Sequence, residues 1–364
     1  MSSIEARSAP RYGARSTSNT SRGRTVAVLL GALALLSLGG PGVAQGQEQN
    51  RVVAVEQRAT TVSAHGGRLA WSRYVEDLDA YVLMTEIDGR VSQVPVRSRA
   101  APFDVDLGPH GAGDPTIAVY SRCARETPMP LGRERRRPPE GCDLYSYDFA
   151  TGREDKLAEA STDQASEYLP TVWRNKIAFA RVYEQREGKR GVYPYLYTRA
   201  FRVEGPSVAK RSQRQPGGAR GLTGRPGPTA LDLYGRRLGV AWGRRLDRED
   251  YRSTIRLVTL GEDDPRVVLG LTNSGDTVRE FLSPSFANGR LFFASRQPST
   301  SRVARLFDTH IDDPSSLRFA EAPPLLLSAE VREDAETFAY VRRTDAGFEV
   351  GVQPIVYEGQ LDVD

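Results

Sequence analysis

From residue 51 onward, short runs of alternating apolar residues are separated by turns rich in Gly, Asn, Asp and Arg, and one unit recurs. It is a turn followed by a strand-like apolar run: His65-Gly66-Gly67-Arg68-Leu69-Ala70-Trp71, Arg174-Asn175-Lys176-Ile177-Ala178-Phe179-Ala180, Gly235-Arg236-Arg237-Leu238-Gly239-Val240-Ala241 and Asn288-Gly289-Arg290-Leu291-Phe292-Phe293-Ala294. Two looser copies are Asp114-Pro115-Thr116-Ile117-Ala118-Val119-Tyr120 and Ala335-Glu336-Thr337-Phe338-Ala339-Tyr340. Successive first apolar residues are 48, 60, 61, 53 and 47 residues apart, the length of a four-stranded blade with loop insertions. A further apolar run follows each copy, at 81–85, 144–147, 195–198, 255–260, 303–307 and 348–352. The stretch from Gly141 to Arg181 reads as strand, turn, strand, loop, strand, turn, strand and supplies one complete repeating unit. Helix-period segments are nearly absent. The pattern predicts an all-β fold, a six-bladed β-propeller of four-stranded antiparallel blades, with Arg51 to Val55 completing the last blade.

Composition is ordinary for a globular chain: 364 residues, 39% hydrophobic and 26% charged, enough to bury a large core. The N-terminus changes the picture. Residues 1–44 read as a signal peptide, with a Ser/Arg-rich start, an apolar run from Thr25 to Leu38, a Gly39–Gly42 breaker and small residues to Ala44. The run is shorter than the roughly 20 residues of a spanning helix, so cleavage is expected over retention as a membrane anchor. That leader carries Arg7, Arg11, Arg15, Arg22 and Arg24 against Glu5, which accounts for the whole formal charge of +4. The remainder, 45–364, is neutral and lacks the surplus that nucleic-acid binding needs. It is expected to form one propeller domain, ordered over about 51–358, secreted or held in the cell envelope, and monomeric. The polar segment Arg202 to Gly221 falls inside a blade by spacing, so it is not expected to separate two domains.

Within the repeating unit, Asp143-Leu144-Tyr145-Ser146-Tyr147-Asp148-Phe149-Ala150-Thr151-Gly152, followed by Lys156-Leu157, resembles the strand and turn of a TolB-like propeller blade. Leu169-Pro170-Thr171-Val172-Trp173 leading into Ile177-Ala178-Phe179-Ala180 is similar to that family's inner strand and the strand after it. Arg174-Asn175-Lys176 stands where the family commonly has a Ser-Pro-Asp-Gly turn, and the separate N-terminal domain of TolB has no counterpart. The resemblance implies a six-bladed architecture in an exported protein and no particular activity.

Cys123 and Cys142 are the two cysteines. They flank one hairpin, and an exported chain favours joining them over leaving free thiols or a metal site. The long loops at 183–192, 202–221 and 244–252, and the Arg runs at 135–137 and 244–245, read as tolerated, solvated insertions that could still face an acidic partner.

Catalytic motifs are few. The histidines are His65, His110 and His310, and no GxSxG, HExxH or phosphate-cradling glycine loop occurs. Asp308, Asp312 and Asp313 could hold a hard cation but match no calcium loop. No cofactor is expected. Glu167 and Glu280 each open an inner strand before an aromatic residue and Leu, so both could reach the axis as ligands or as acid and base. The competing expectation is that each pairs with an arginine of a neighbouring blade. Two functions stay open: a non-enzymatic propeller binding a protein, peptide or envelope component at its rim or axial mouth, and a hydrolase or lyase acting there on glycan or lactone-like substrates. Acidic residues converging on the axis around a metal would favour the enzyme. An axis filled with apolar side chains would favour the binding protein.

Overall fold

The computed structural model describes residues 50–111, 116–124, 141–183, 195–200, 213–214, 226–245, 251–260, 266–273, 280–296, 304–313 and 316–362. Residues 46–364 form a compact unit of their own. The expected leader, and most of the three long loops, lie outside the described residues.

Six antiparallel sheets account for the described strands. Strand β1 (Arg51–Glu56) comes first in the chain but belongs to the last sheet. Blade 1 is β2 (Val62–His65), β3 (Arg68–Val75), β4 (Ala80–Ile87) and β5 (Arg90–Gln93). Blade 2 is β6 (Asp104–Pro109), β7 (Thr116–Arg122), β8 (Asp143–Asp148) and β9 (Arg153–Lys156). Blade 3 is β10 (Ala165–Trp173), β11 (Lys176–Tyr183), β12 (Tyr195–Ala200) and β13 (Gln213–Arg214). Blade 4 is β14 (Pro226–Tyr234), β15 (Arg237–Arg245), β16 (Tyr251–Thr259) and β17 (Arg266–Asn273). Blade 5 is β18 (Glu280–Ala287), β19 (Arg290–Arg296), β20 (Ala304–His310) and β21 (Ser316–Ala322). Blade 6 is β22 (Leu326–Val331), β23 (Thr337–Thr344) and β24 (Gly347–Pro354), and β1 pairs antiparallel with β24 to complete it. The last strand, β25 (Tyr357–Asp362), turns back and adds a fifth strand to blade 5 beside β21.

The chain is thus a propeller with small antiparallel sheets in a ring. The repeating unit at Gly141–Arg181 straddles two blades, its first hairpin being β8–β9 and its second β10–β11. Blades 1 to 5 each begin with four consecutive strands, and only the last takes a strand from the N-terminal side of the ring.

The apolar runs that mark the repeat are the second strand of each blade, and they are buried on both faces. Ile117 to Tyr120, Ile177 to Ala180, Leu291 to Ala294 and Phe338 to Val341 are all inaccessible. A strand sandwiched between neighbours loses the apolar-in, polar-out alternation of a one-sided sheet. It alternates partners instead. Phe338 and Tyr340 pack toward blade 5, and Ala339 and Val341 toward blade 1. Every apolar layer lies between two blades: 1 and 2, 2 and 3, 3 and 4, 4 and 5, 5 and 6, and 6 back to 1. Each blade buries its apolar faces only against its neighbours, so the ring must close.

Small residues keep the blades close where they converge. Gly239 occupies a marker position, and a methyl group there would meet Pro284 Cβ at 3.0 Å and Phe286 at 3.3 Å. At Gly108 a Cβ would fall 2.3 Å from the Val172 carbonyl oxygen of the next blade.

Cys123 and Cys142 are joined by a disulfide, 19 residues apart in sequence, between the end of β7 and the start of β8. Closing a loop of that size contributes about 3 kcal/mol in the chain-entropy description. Reduction, or Cys142→Ser, should therefore lower the urea midpoint of unfolding. An unchanged midpoint with and without reductant would show that the link adds nothing.

Candidate functional site

The innermost strand of each blade has one edge with no partner strand, so its outward N–H groups need acceptors. The structure meets that need in a regular way. Each inner strand carries one polar residue between apolar neighbours: Ser63, Asp106, Thr171, Asp232, Ser285 and Glu330. Each accepts a hydrogen bond from the backbone N–H of the next blade, one residue past that blade's own polar residue. Leu107 N–H donates to Ser63 Oγ at 2.9 Å, Val172 N–H to Asp106 Oδ2 at 2.9 Å and Leu233 N–H to Thr171 Oγ1 at 2.9 Å. Phe286 N–H donates to Asp232 Oδ2 at 2.7 Å, Val331 N–H to Ser285 Oγ at 3.2 Å and Ala64 N–H to Glu330 Oε1 at 3.2 Å. The sixth bond returns to blade 1, so the belt is closed.

Hydroxyl and carboxylate alternate around this belt. Ser63 Oγ lies 3.0 Å from Glu330 Oε1 and 3.3 Å from Asp106 Oδ1, so its single proton can go to either. Thr171 Oγ1 donates to Asp232 Oδ1 at 3.3 Å. The three carboxylates sit on alternate blades. Burial pushes Asp106 well above the usual carboxylate range, and the Asp232 charge adds to this. Burial likewise raises Glu330, helped by the charges of Asp106 and Asp232. Asp232 is pushed up to about 7 by burial, against the pull of its hydrogen bonds and of His65. Desolvation and like charge both favour the neutral acid. Coupled groups of this kind share protons as a set.

A second tier lies one pleat toward the start of the inner strands. Leu169 N–H donates to Asp104 Oδ2 at 2.6 Å, Val62 N–H to Ser328 Oγ at 3.3 Å and Ala329 N–H to Ser283 Oγ at 3.2 Å. Asp104 is raised to about 6 by burial. Leu169 and Ser283, each preceding a proline, take φ values of 49° and 48°, a costly conformation for a residue with a side chain. Each lies where the inner-strand register slips; in blade 3 that slip lets the N–H groups of both Leu169 and Val172 reach blade 2. Asp104, Asp232 and Glu330 are desolvated yet keep intermediate exposure, as groups facing a narrow axial passage should. Past the belt, aromatic rings pack between blades 3, 4 and 5: those of Trp173 and Tyr234 are 4.3 Å apart and Tyr234 and Phe286 5.9 Å apart.

The residues singled out from sequence lie elsewhere. Glu167 sits opposite Arg181 in the β10–β11 ladder, and Arg181 Nε is 2.8 Å from its carboxylate. Glu280 sits opposite Arg296 in the β18–β19 ladder, 2.8 Å from it. Each arginine comes from the carboxylate's own blade, not a neighbouring one, because both acids stand directly across a strand pair. The same ladder pairing recurs as Arg342–Glu349 in blade 6, whereas Arg73 of blade 1 reaches Glu56 of blade 6 and Arg122 reaches Glu154 two strands away in its own blade. Burial still raises Glu167 to about 7 despite Arg181. Asp308 is buried between Arg290 and Arg318, Asp312 faces Arg237, and His65 Nδ1 is 2.6 Å from Glu333. Among the described residues no group of three His, Cys, Asp or Glu is placed to hold a metal ion.

The signal for the belt was present in the sequence as one polar residue inside an apolar triplet: Val-Ser-Ala, Val-Asp-Leu, Pro-Thr-Val, Leu-Asp-Leu, Pro-Ser-Phe and Ala-Glu-Val. In four blades it precedes the first marker residue by six positions. Such a residue reads as an ordinary strand position until the ring brings the copies together.

These features define an all-β propeller with an acidic and hydroxylic axial belt. No family model and no curated protein matches the chain. Among solved structures it is similar in fold to TolB from Acinetobacter baumannii, at 12% identity over 72% of this chain and 53% of that one, TM-score 0.41. It is similar also to the β-propeller domain of the trilobed protease from Pyrococcus furiosus, at 10% identity over 82% and 78%, TM-score 0.44. The six-bladed lectin of Aleuria aurantia matches at 6% identity over 85% and 98%, TM-score 0.48. The chain spans about half the length of the TolB structure. The likeness is of fold alone.

Proposed function

We propose that the protein is a binding propeller acting outside the cytoplasm, whose axial mouth takes a peptide or envelope component that presents amine or amide donors. The observation that supports this most is the set of Asp104, Asp232 and Glu330, acceptor-rich groups on the inner strands that keep part of their surface. Asp104 lies on the side of the belt toward the start of the inner strands, and we take that side as the mouth. The Cys123–Cys142 disulfide and the leader-like N-terminus support an oxidising compartment.

One observation favours the enzymatic reading, a hydrolase or lyase: Asp104 at about 6 and Asp232 at about 7 lie in the range where a carboxyl can give and take a proton near neutrality. A single experiment separates the two. Lysine-terminated peptides, uncharged peptides and oligosaccharides are each titrated into the purified protein, and their turnover is followed in parallel. Binding of the lysine-terminated set, weakened about tenfold by Asp104→Asn and by acidification below about pH 6, is the expected result. Asn keeps an acceptor for the Leu169 N–H, so the fold is retained. Turnover of any probe that Asp232→Asn abolishes would assign the enzymatic reading, and binding indifferent to Asp104→Asn would overturn the axial mouth.

A further inference from the structure

We infer that the rim between blades 1 and 2 carries an oxyanion-binding site centred on Arg99 and Arg122, suited to the carboxylate or phosphate group of a small solute. Arg99 lies on the segment that crosses from β5 to β6, and its backbone is pinned by N–H and C=O bonds to Tyr81 at 2.9 and 2.6 Å. Among the described residues the Nε atoms of Arg68, Arg99 and Arg122 are buried without a hydrogen bond. Two of these side chains are otherwise engaged. Arg68 donates to Thr85 and lies over the Phe149 ring, and Arg122 pairs with Glu154. The Arg99 guanidinium has neither hydrogen bond nor ion pair among the described residues.

The surroundings make an unpaired guanidinium unfavourable there. Burial lowers the Arg99 pKa first, and the positive charges of Arg122 and Arg97 lower it further. A guanidinium does not give up its proton in a protein, so Arg99 is a part-buried cation, its Nε inaccessible, that feels the charge of Arg122. Glu154, the carboxylate beside Arg122, is spent on it and on the Tyr120 hydroxyl. The Arg122 guanidinium is held 4.0 Å from the Tyr145 ring centroid, and Tyr145 stacks on Tyr120 at 6.2 Å. That stack and Glu154 fix Arg122 in place. A fixed cation next to one with unused donors is the arrangement that recognises an oxyanion in bidentate fashion. The rim site is distinct from the axis in both place and charge.

The test uses the whole mature protein with sodium phosphate and sodium acetate as probes, each compared with sodium chloride at equal ionic strength, by calorimetric titration and thermal shift. Saturable binding of phosphate or acetate at one site is expected, and the tighter probe identifies the group preferred. Arg99→Gln should weaken it at least about tenfold, the loss of a charge-assisted pair. Arg99→Lys, which keeps the charge but not the fork, should fall between. Arg97→Ala, at an exposed position, should leave binding within about twofold because it supplies only distant charge. A response equal to that of chloride, or binding unchanged in Arg99→Gln, would overturn the site. Either result leaves the axial reading to its own experiment.

Discussion

Stability should fall as the pH rises from about 4 to beyond 7, opposite to the usual behaviour of surface carboxylates. Asp104, Asp106, Asp232 and Glu330 are all raised in the folded ring, whereas in the unfolded chain they titrate near 3.8 for Asp and 4.5 for Glu. Between those values and the folded ones the native state holds more protons, so unfolding becomes easier with each increment of pH. Below the unfolded values both states are protonated and this contribution is constant. Each unit of displacement corresponds to about 1.4 kcal/mol, so even one such group leaves a visible slope. Glu333 and Glu349, held low by His65 and by Arg342 with Tyr340, act in the opposite sense and only at the acid end. The triple variant Asp106→Asn, Asp232→Asn, Glu330→Gln keeps an acceptor for every belt N–H and removes the titration. Its thermal midpoint should lose most of the dependence between about pH 5 and 8, with Asp104 and Glu167 supplying the remainder. A triple variant whose midpoint follows pH as steeply as the native protein would show that the axial acids are not the source.

Removing Arg181 should be among the most damaging single changes. Glu167 has no exposed surface, and Arg181 keeps 6% of its own. Loss of one partner of a buried pair typically costs about 3 to 5 kcal/mol because the other charge is left uncompensated. Here the cost carries its own pH signature. Glu167 is already raised to about 7 with Arg181 present, and without it the acid is pushed higher still, so Arg181→Met should be markedly less harmful at about pH 5 than at about pH 8. The double variant Glu167→Leu, Arg181→Met should recover most of the loss, because two apolar groups of similar size need no partner. Urea midpoints for the two single variants and the double variant at both pH values decide the matter. A double variant as unstable as Arg181→Met would mean that packing, and not the charge, carries the effect. The same logic applies to Glu280 and Arg296, 2.8 Å apart in blade 5.

Much of the architecture was legible before any coordinates. The six marker strands at Leu69, Ile117, Ile177, Leu238, Leu291 and Phe338 are the second strands of six sheets, and the runs that follow them are the third. Such strands advertise themselves because burial on both faces demands an uninterrupted apolar run, and a run is a local property. Arg51 to Val55 could be assigned to the last blade because six units left one place unfilled. The return of β25 to blade 5 was not legible, since an added edge strand needs no distinctive residues.

The site divides differently. Glu167 and Glu280 stood out as charges at the head of apolar strands, but which arginine meets each depends on the hairpin register, and the register places that arginine in the same blade. Sequence alone determined the repeat, its strands and the cysteines that meet across one hairpin, because all three rest on neighbours along the chain or on a period. Only the closed ring decided the belt. Ser63, Asp106, Thr171, Asp232, Ser285 and Glu330 are scattered over most of the chain, and each is a lone polar residue until the inner edges converge. Their raised pKa values come from burial at that convergence and from one another's charge, neither of which exists in any one blade.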